Sequence, residues 1–162
     1  MKLTPFPFGL SIGTDIVHIP RVLRLITRSP SPANTYLHRF VKRILSEQEQ
    51  NQFFSKFPQY RPQLKQSGTL PFAESTVAAS ADTARWLAGR FAAKEAARKA
   101  APGGASSISW KEVIVRAESG GNGKPEVVYA RNAAGHGQIG KLSISHDGDY
   151  VVATVMAACP VG

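Results

Sequence analysis

The chain has one cysteine, Cys159, in 162 residues. That excludes an internal disulfide framework and any zinc site built from several cysteines. No stretch approaches the roughly 20 apolar residues needed to span a bilayer, so no membrane partner is expected. There is no Walker-type glycine-rich loop, which removes the P-loop phosphotransferases. Acidic residues are scarce: 11 Asp and Glu stand against 20 Lys and Arg, for a net charge of +9. Before Ser46 the only acid is Asp15, facing Lys2, Arg21, Arg24, Arg28, Arg39, Lys42 and Arg43. Such a balance calls for an anionic partner: nucleic acid, a phosphorylated small molecule or an acidic protein.

What is present suits one globular domain over 1–162. Hydrophobic content is 43% and charged content 19%, and the length supports a single core. Residues 9–19 read as a strand of Leu10, Ile12, Ile16, Val17 and Ile19 interrupted by Gly13, a position that marks a bulge or a close backbone approach. Asp15 sits inside this strand, where aspartate is disfavoured. It is either a turn residue or a functional one. Pro20 opens a short helix to Thr27, with Val22, Leu25 and Ile26 turned inward and Arg21, Arg24 and Arg28 outward. A second helix starts near Asn34, and Ser46 to Glu49 fits a capping box, giving Glu49 a structural role.

Residues 58–81 lose all periodicity between Pro58, Pro62, Gly68 and Pro71, and read as a surface insertion. Two hairpins close the chain. Residues 111–116 and 125–130 flank an Asn122-Gly123 turn, and residues 142–146 and 149–155 flank Asp147-Gly148. A weak helix is expected over 132–139. Strands and helices mix without regular alternation, which predicts an α+β class with an antiparallel sheet packed against helices.

The most informative stretch is Trp86 to Ala101, an alanine-rich helix capped by Asp82 or Thr83 and stopped by Pro102-Gly103-Gly104. Leu87, Phe91, Glu95 and Lys99 form one ladder on it, and Trp86, Arg90, Lys94 and Arg98 the next. A carboxylate on a partly buried face needs a cation or donors. One reading is an amphipathic helix with a Glu95–Lys99 salt bridge. The other is a metal ligand beside a phosphate clamp. Asp15 and Glu95 together suit Mg²⁺, which takes hard oxygens from one or two carboxylates and completes its shell with water and substrate phosphate. Arg90, Lys94, Arg98 and Lys99 would neutralise the remaining phosphate charge.

These blocks resemble, in order, the 4'-phosphopantetheinyl transferase superfamily of the short holo-acyl-carrier-protein synthase type. The similar segments are Gly13 to Val17 with Arg21, Arg39-Phe40 and Arg43 through Glu49, Leu87 to Ala96 with Lys99, Asn122 to Pro125, and Ser143 to His146. The resemblance spans nearly the whole chain except the 58–81 segment. It implies transfer of 4'-phosphopantetheine from coenzyme A to a serine of an apo acyl carrier protein, releasing adenosine 3',5'-bisphosphate. It implies Asp15 and Glu95 as the Mg²⁺ ligands, and Asp15, Glu95, Lys99 and His146 as the catalytic set.

Arg90, Lys94, Lys99 and His146 would grip the phosphates, with Ser145, Asn122, Gly123, Lys124 and Pro125 near the adenine or ribose. Arg21, Arg24 and Arg28 would steer the acidic carrier protein. A homotrimer with coenzyme A between subunits is also implied. The acid-poor first third and the eukaryotic relatives point to a mitochondrial location, with a cytoplasmic one as the alternative. The rival reading, a basic nucleic-acid-binding module without enzymatic activity, rests on charge alone: neither RRM-type aromatic and basic interleaving nor zinc-finger spacing is present.

Overall fold

The computed structural model describes residues 6–28, 35–61, 80–120, 123–130 and 137–159. Five strands form one antiparallel sheet: β1 (Leu10–His18), β2 (Val113–Ala117), β3 (Pro125–Tyr129), β4 (Gln138–Asp147) and β5 (Tyr150–Ala158). Their spatial order is β1-β5-β4-β3-β2. The helices are α1 (Ile19–Ile26), α2 (Thr35–Ile44), α3 (Glu47–Lys56) and α4 (Ala81–Ala100). This is the α+β architecture that the pattern predicts.

The sheet's inner face carries Gly13 and Val17 of β1 and Val151, Ala153 and Val155 of β5, all buried. Helix α4 lies across it, with Ala84, Leu87, Ala88, Ala92, Ala93, Ala96 and Ala97 fully buried. Alanine lets the backbones approach closely, and Gly13 shows how closely. A Cβ added there would lie 2.1 Å from the Ala96 carbonyl oxygen. The outer face is uncovered in the single chain: Ile12 is 69% and Ile16 62% exposed, with Ile139 and Met156 also exposed.

Several boundaries differ from the sequence reading for identifiable reasons. Helix α4 starts at Ala81 because Ser80, rather than Asp82 or Thr83, is its cap; the Ser80 hydroxyl accepts the Thr83 N–H at 3.2 Å. The Tyr60 hydroxyl also accepts from the Ser80 N–H at 3.3 Å, so the chain is adjacent to itself on either side of 62–79. Those residues, most of the expected insertion, lie outside the described residues, as do Asn34 and Asn122. Residues 110–112 form a short 3-10 turn fixed by a Ser109–Glu112 capping box, so β2 begins only at Val113.

The weak helix expected over 132–139 is overturned at its end, since Gln138 and Ile139 already pair with Tyr129 and Val128. Its earlier residues, 132–136, are outside the described residues. The last hairpin turns on Gly148-Asp149, one position later than expected: Asp147 pairs with Tyr150, and Gly148 takes the positive φ of 51°. The Ser46–Glu49 capping box forms as read. On α1 the inward residues are Ile19, Val22 and Ile26, while Leu25 lies exposed among Arg21, Arg24 and Arg28.

Candidate active site

Strand period and helix period together build the first cluster. Asp15 follows Gly13 by two residues, so it shares Gly13's inward face, and that face is pressed against α4. Lys99 reaches back from α4 and donates to Asp15 Oδ1 at 2.8 Å and to the Thr14 carbonyl at 2.9 Å. One helical turn earlier, Glu95 Oε1 accepts from Arg98 at 2.7 Å. The Glu95–Lys99 bridge considered above is therefore not the pairing that forms. Arg98 is otherwise committed to the Ile108 and Ala105 carbonyls and to the Trp110 ring.

The Asp15 side chain is 17% and the Glu95 side chain 19% exposed. Each has one oxygen engaged by a cation, and its second oxygen makes no hydrogen bond among the described residues. Two half-buried carboxylates beside a lysine are hard donors of the kind that Mg²⁺ accepts. The residues fit the ion. No group of three or more potential metal ligands occurs among the described residues.

A second cluster surrounds a cleft of about 630 Å³ at the other end of α4. Trp86, Gly89 and Arg90 form one wall, and Arg116, Pro125 and His146 line the rest with Gly123. Gly89 lies against His146: a Cβ added there would stand 3.9 Å from His146 Nε2, an ordinary van der Waals contact. Arg90 lies over the Trp86 ring at 4.7 Å, donates to the Val115 carbonyl, and reaches Gln52 Oε1 at 3.5 Å. Its burial lowers the guanidinium pKa, an effect that Glu49 opposes. Nine residues of helix separate Arg90 from Lys99, about 14 Å of rise.

The structure brings Arg90, Gly123, Pro125 and His146 together and sets Asp15, Glu95 and Lys99 apart from them. Lys94 joins neither group. Expected to grip a phosphate, it is fully buried, with Nζ 2.6 Å from Glu49 Oε2 and 2.9 Å from the Trp110 carbonyl. Desolvation lowers its pKa and the Glu49 carboxylate pulls it back up. Ser145 is exposed on the sheet's outer face, because adjacent strand residues point opposite ways and His146 faces inward. Lys124 is exposed, and its carbonyl closes the hairpin by accepting from the Glu118 N–H. Sequence reasoning missed Arg116, Lys56 and Arg85 as further cations on the cleft. No periodicity marks them, since only the fold gathers them.

Residues 11–155 match the family model described as the 4'-phosphopantetheinyl transferase superfamily. The chain belongs to the 4'-phosphopantetheinyl transferase superfamily. It is 56% identical, over 98% of its length and 99% of the other's, to a protein of Aspergillus fumigatus named 4'-phosphopantetheinyl transferase B, mitochondrial. It is 34% identical to a holo-[acyl-carrier-protein] synthase of Geobacillus kaustophilus, over 91% and 87% of the two chains. Among solved structures, a holo-(acyl-carrier-protein) synthase of Bacillus anthracis in complex with CoA (3',5'-ADP) superposes with a TM-score of 0.57. That protein is 29% identical, with 91% and 95% of the chains covered. The chain is thus an enzyme of the phosphopantetheinyl transferase class, and its antiparallel sheet with helices is that superfamily's fold.

Proposed function

We propose that this transferase moves 4'-phosphopantetheine from coenzyme A to a serine of an apo acyl carrier protein. The serine Oγ gives up its proton to solvent and forms a bond to the phosphorus bearing the pantetheine arm, the bond from that phosphorus to the bridging oxygen of the pyrophosphate breaks, and adenosine 3',5'-bisphosphate leaves with that oxygen. The observation that carries the reading is two carboxylates on packed elements, Asp15 of β1 ion-paired to Lys99 and Glu95 of α4 one helical turn before that lysine and ion-paired to Arg98, each with one oxygen unengaged. Mg²⁺ held there would neutralise charge gathering on the pyrophosphate, the main term in such transfers. Lys99 adds a cation at the same place. Arg90 and His146 line a cleft suited to the phosphate and nucleotide portion, with Gly123 and Pro125 at its edge.

The two clusters lie apart within one chain, which suits a site completed between subunits. The exposed strip of Ile12, Ile16, Ile139 and Met156 gives a second and third copy something to cover. A homotrimer is therefore part of the proposal. Helix α1 presents Arg21 and Arg24, with Arg28 just beyond its end and an exposed Leu25 among them, a stripe suited to an acidic helical partner with an apolar centre. The enzyme acts in the mitochondrion, in accord with the name of its 56% identical relative.

The test is a mass shift. Apo carrier protein is incubated with enzyme, coenzyme A and Mg²⁺, with and without EDTA. A phosphopantetheine-sized gain that EDTA abolishes is the expected result. No gain with several carriers would overturn the reading and direct attention to a salt-dependent nucleic-acid titration.

A further inference from the structure

Glu49 is the most heavily engaged side chain among the described residues, and the reaction gives it no direct part. It is fully buried at the first turn of α3. Oε2 accepts from the Ser46 N–H and hydroxyl, both at 2.9 Å, and from Lys94 Nζ at 2.6 Å. Oε1 accepts from the Val115 N–H at 3.1 Å and lies 4.0 Å from Arg90. Capping alone needs only the Ser46 contacts. Of the remaining partners, Val115 and Arg90 line the cleft, and Lys94 stands one helical turn after Arg90 on α4.

Val115 is the meeting point. It sits on β2, at the edge of the sheet, and both its outward backbone groups are taken: the N–H by Glu49 and the carbonyl by Arg90. Arg90 and Val115 both line the cleft. One carboxylate therefore ties the edge of β2 to the first turn of α3, with Lys94 balancing its charge, and the Val115 residue it fixes in turn holds Arg90 through its carbonyl. A long side chain loses rotamer entropy when fixed, so an arginine already held in this way spares the bound ligand that cost.

From this, the geometry points to Glu49 as a positioning residue that acts through Arg90: it presets the guanidinium on the cleft wall for an anionic group of the co-substrate, with Lys94 as its counter-charge. The inference rests on the proposed transfer from coenzyme A. A positioning group of this kind acts on co-substrate affinity more than on the chemical step, which the Asp15 and Glu95 end governs.

The experiment compares wild type, Glu49→Gln, Arg90→Ala and the double variant well below their melting temperatures. It measures equilibrium binding of coenzyme A alone by isothermal titration calorimetry, and KM and kcat with carrier protein. Glu49→Gln is expected to weaken coenzyme A binding and raise its KM about tenfold, leaving the carrier KM unchanged and kcat within about twofold. In the Arg90→Ala background the same change should add nothing, because the group it positions is gone. Where Glu49→Gln folds poorly, Glu49→Gln with Lys94→Met removes both buried charges and must show the same affinity loss. A lower melting temperature with unchanged coenzyme A affinity would make Glu49 purely structural and overturn the inference. So would full additivity with Arg90→Ala. If wild type itself fails to modify any carrier, the transferase reading falls instead, and the two failures are thereby told apart.

Discussion

Gly13→Ala tests the contact on which the acidic end of the site depends. In an open strand position this change would stabilise the fold by about 0.5–1 kcal/mol, because glycine gives up more backbone entropy on folding. At Gly13 the sign reverses. The new methyl would stand 2.1 Å from the Ala96 oxygen, 2.7 Å from the Ala100 nitrogen and 2.9 Å from Lys99 Cβ. Two of these are backbone atoms of a buried helix, so no side-chain rotation relieves them. Strand and helix must part by roughly 1 Å, and overpacking of this kind typically costs 1–3 kcal/mol; with backbone on both sides we expect about 3 kcal/mol.

The same displacement carries Asp15 away from Lys99 and Glu95, where a misplacement of about 1 Å lowers turnover by about a hundredfold. The assay is urea unfolding followed by circular dichroism, paired with the rate of carrier modification. Gly148→Ala is the control: nothing lies within 4 Å of its added Cβ, so only the cost of its positive φ, about 1 kcal/mol, should appear. A Gly13→Ala variant within 0.5 kcal/mol of wild type and fully active would refute the close approach.

The remaining expectations concern charge. Asp15→Asn and Glu95→Gln should each abolish turnover while leaving the unfolding midpoint nearly unchanged, because both carboxylates are partly solvated; near-normal rates would remove them from the metal site. Lys94→Met should cost about 3–5 kcal/mol by leaving Glu49 buried without its counter-charge, with most of that recovered in the Lys94→Met, Glu49→Gln double variant; equal losses in single and double variants would contradict the buried pair. Reversing charge at Arg21 and Arg24 should raise the carrier KM severalfold and spare that of coenzyme A, whereas equal effects on both would indicate misfolding.

Burial pushes the Tyr129 phenol up to about 12 from its usual 10.0, with its hydroxyl donating to the Ala97 carbonyl at 2.8 Å. The neutral form is favoured in the folded state, so its contribution is whole below pH 10 and lost as pH rises towards 12. Tyr129→Phe should cost about 1 kcal/mol at neutral pH and lose that alkaline dependence; a difference from wild type that does not vary with pH would count against it.

The most legible parts of the sequence are those governed by local chemistry. The alanine-rich helix with its ladder, the strand broken by Gly13 and the serine capping box are all statements about residues within a few positions of each other. The fate of Lys94 was not legible, because its partner Glu49 lies on another helix and nothing in either ladder names the other. Ser145 and His146 sit side by side in sequence, yet register sends them to opposite faces. The hairpin turn shifted by one residue because Asp147 could still pair with Tyr150. Leu25 read as core from its apolarity, but the helix phase set by Ile19, Val22 and Ile26 leaves it outside.

The occupied edge of β2 also bears on solubility. A strand at the end of a sheet offers its outward N–H and C=O groups to any other extended chain, and such edges are where sheets grow into aggregates. At Val115 both groups are already bonded, to Glu49 and to Arg90. A foreign strand would have to expel a buried carboxylate and an arginine to pair there. Pairing is thus blocked at that point of the β2 edge.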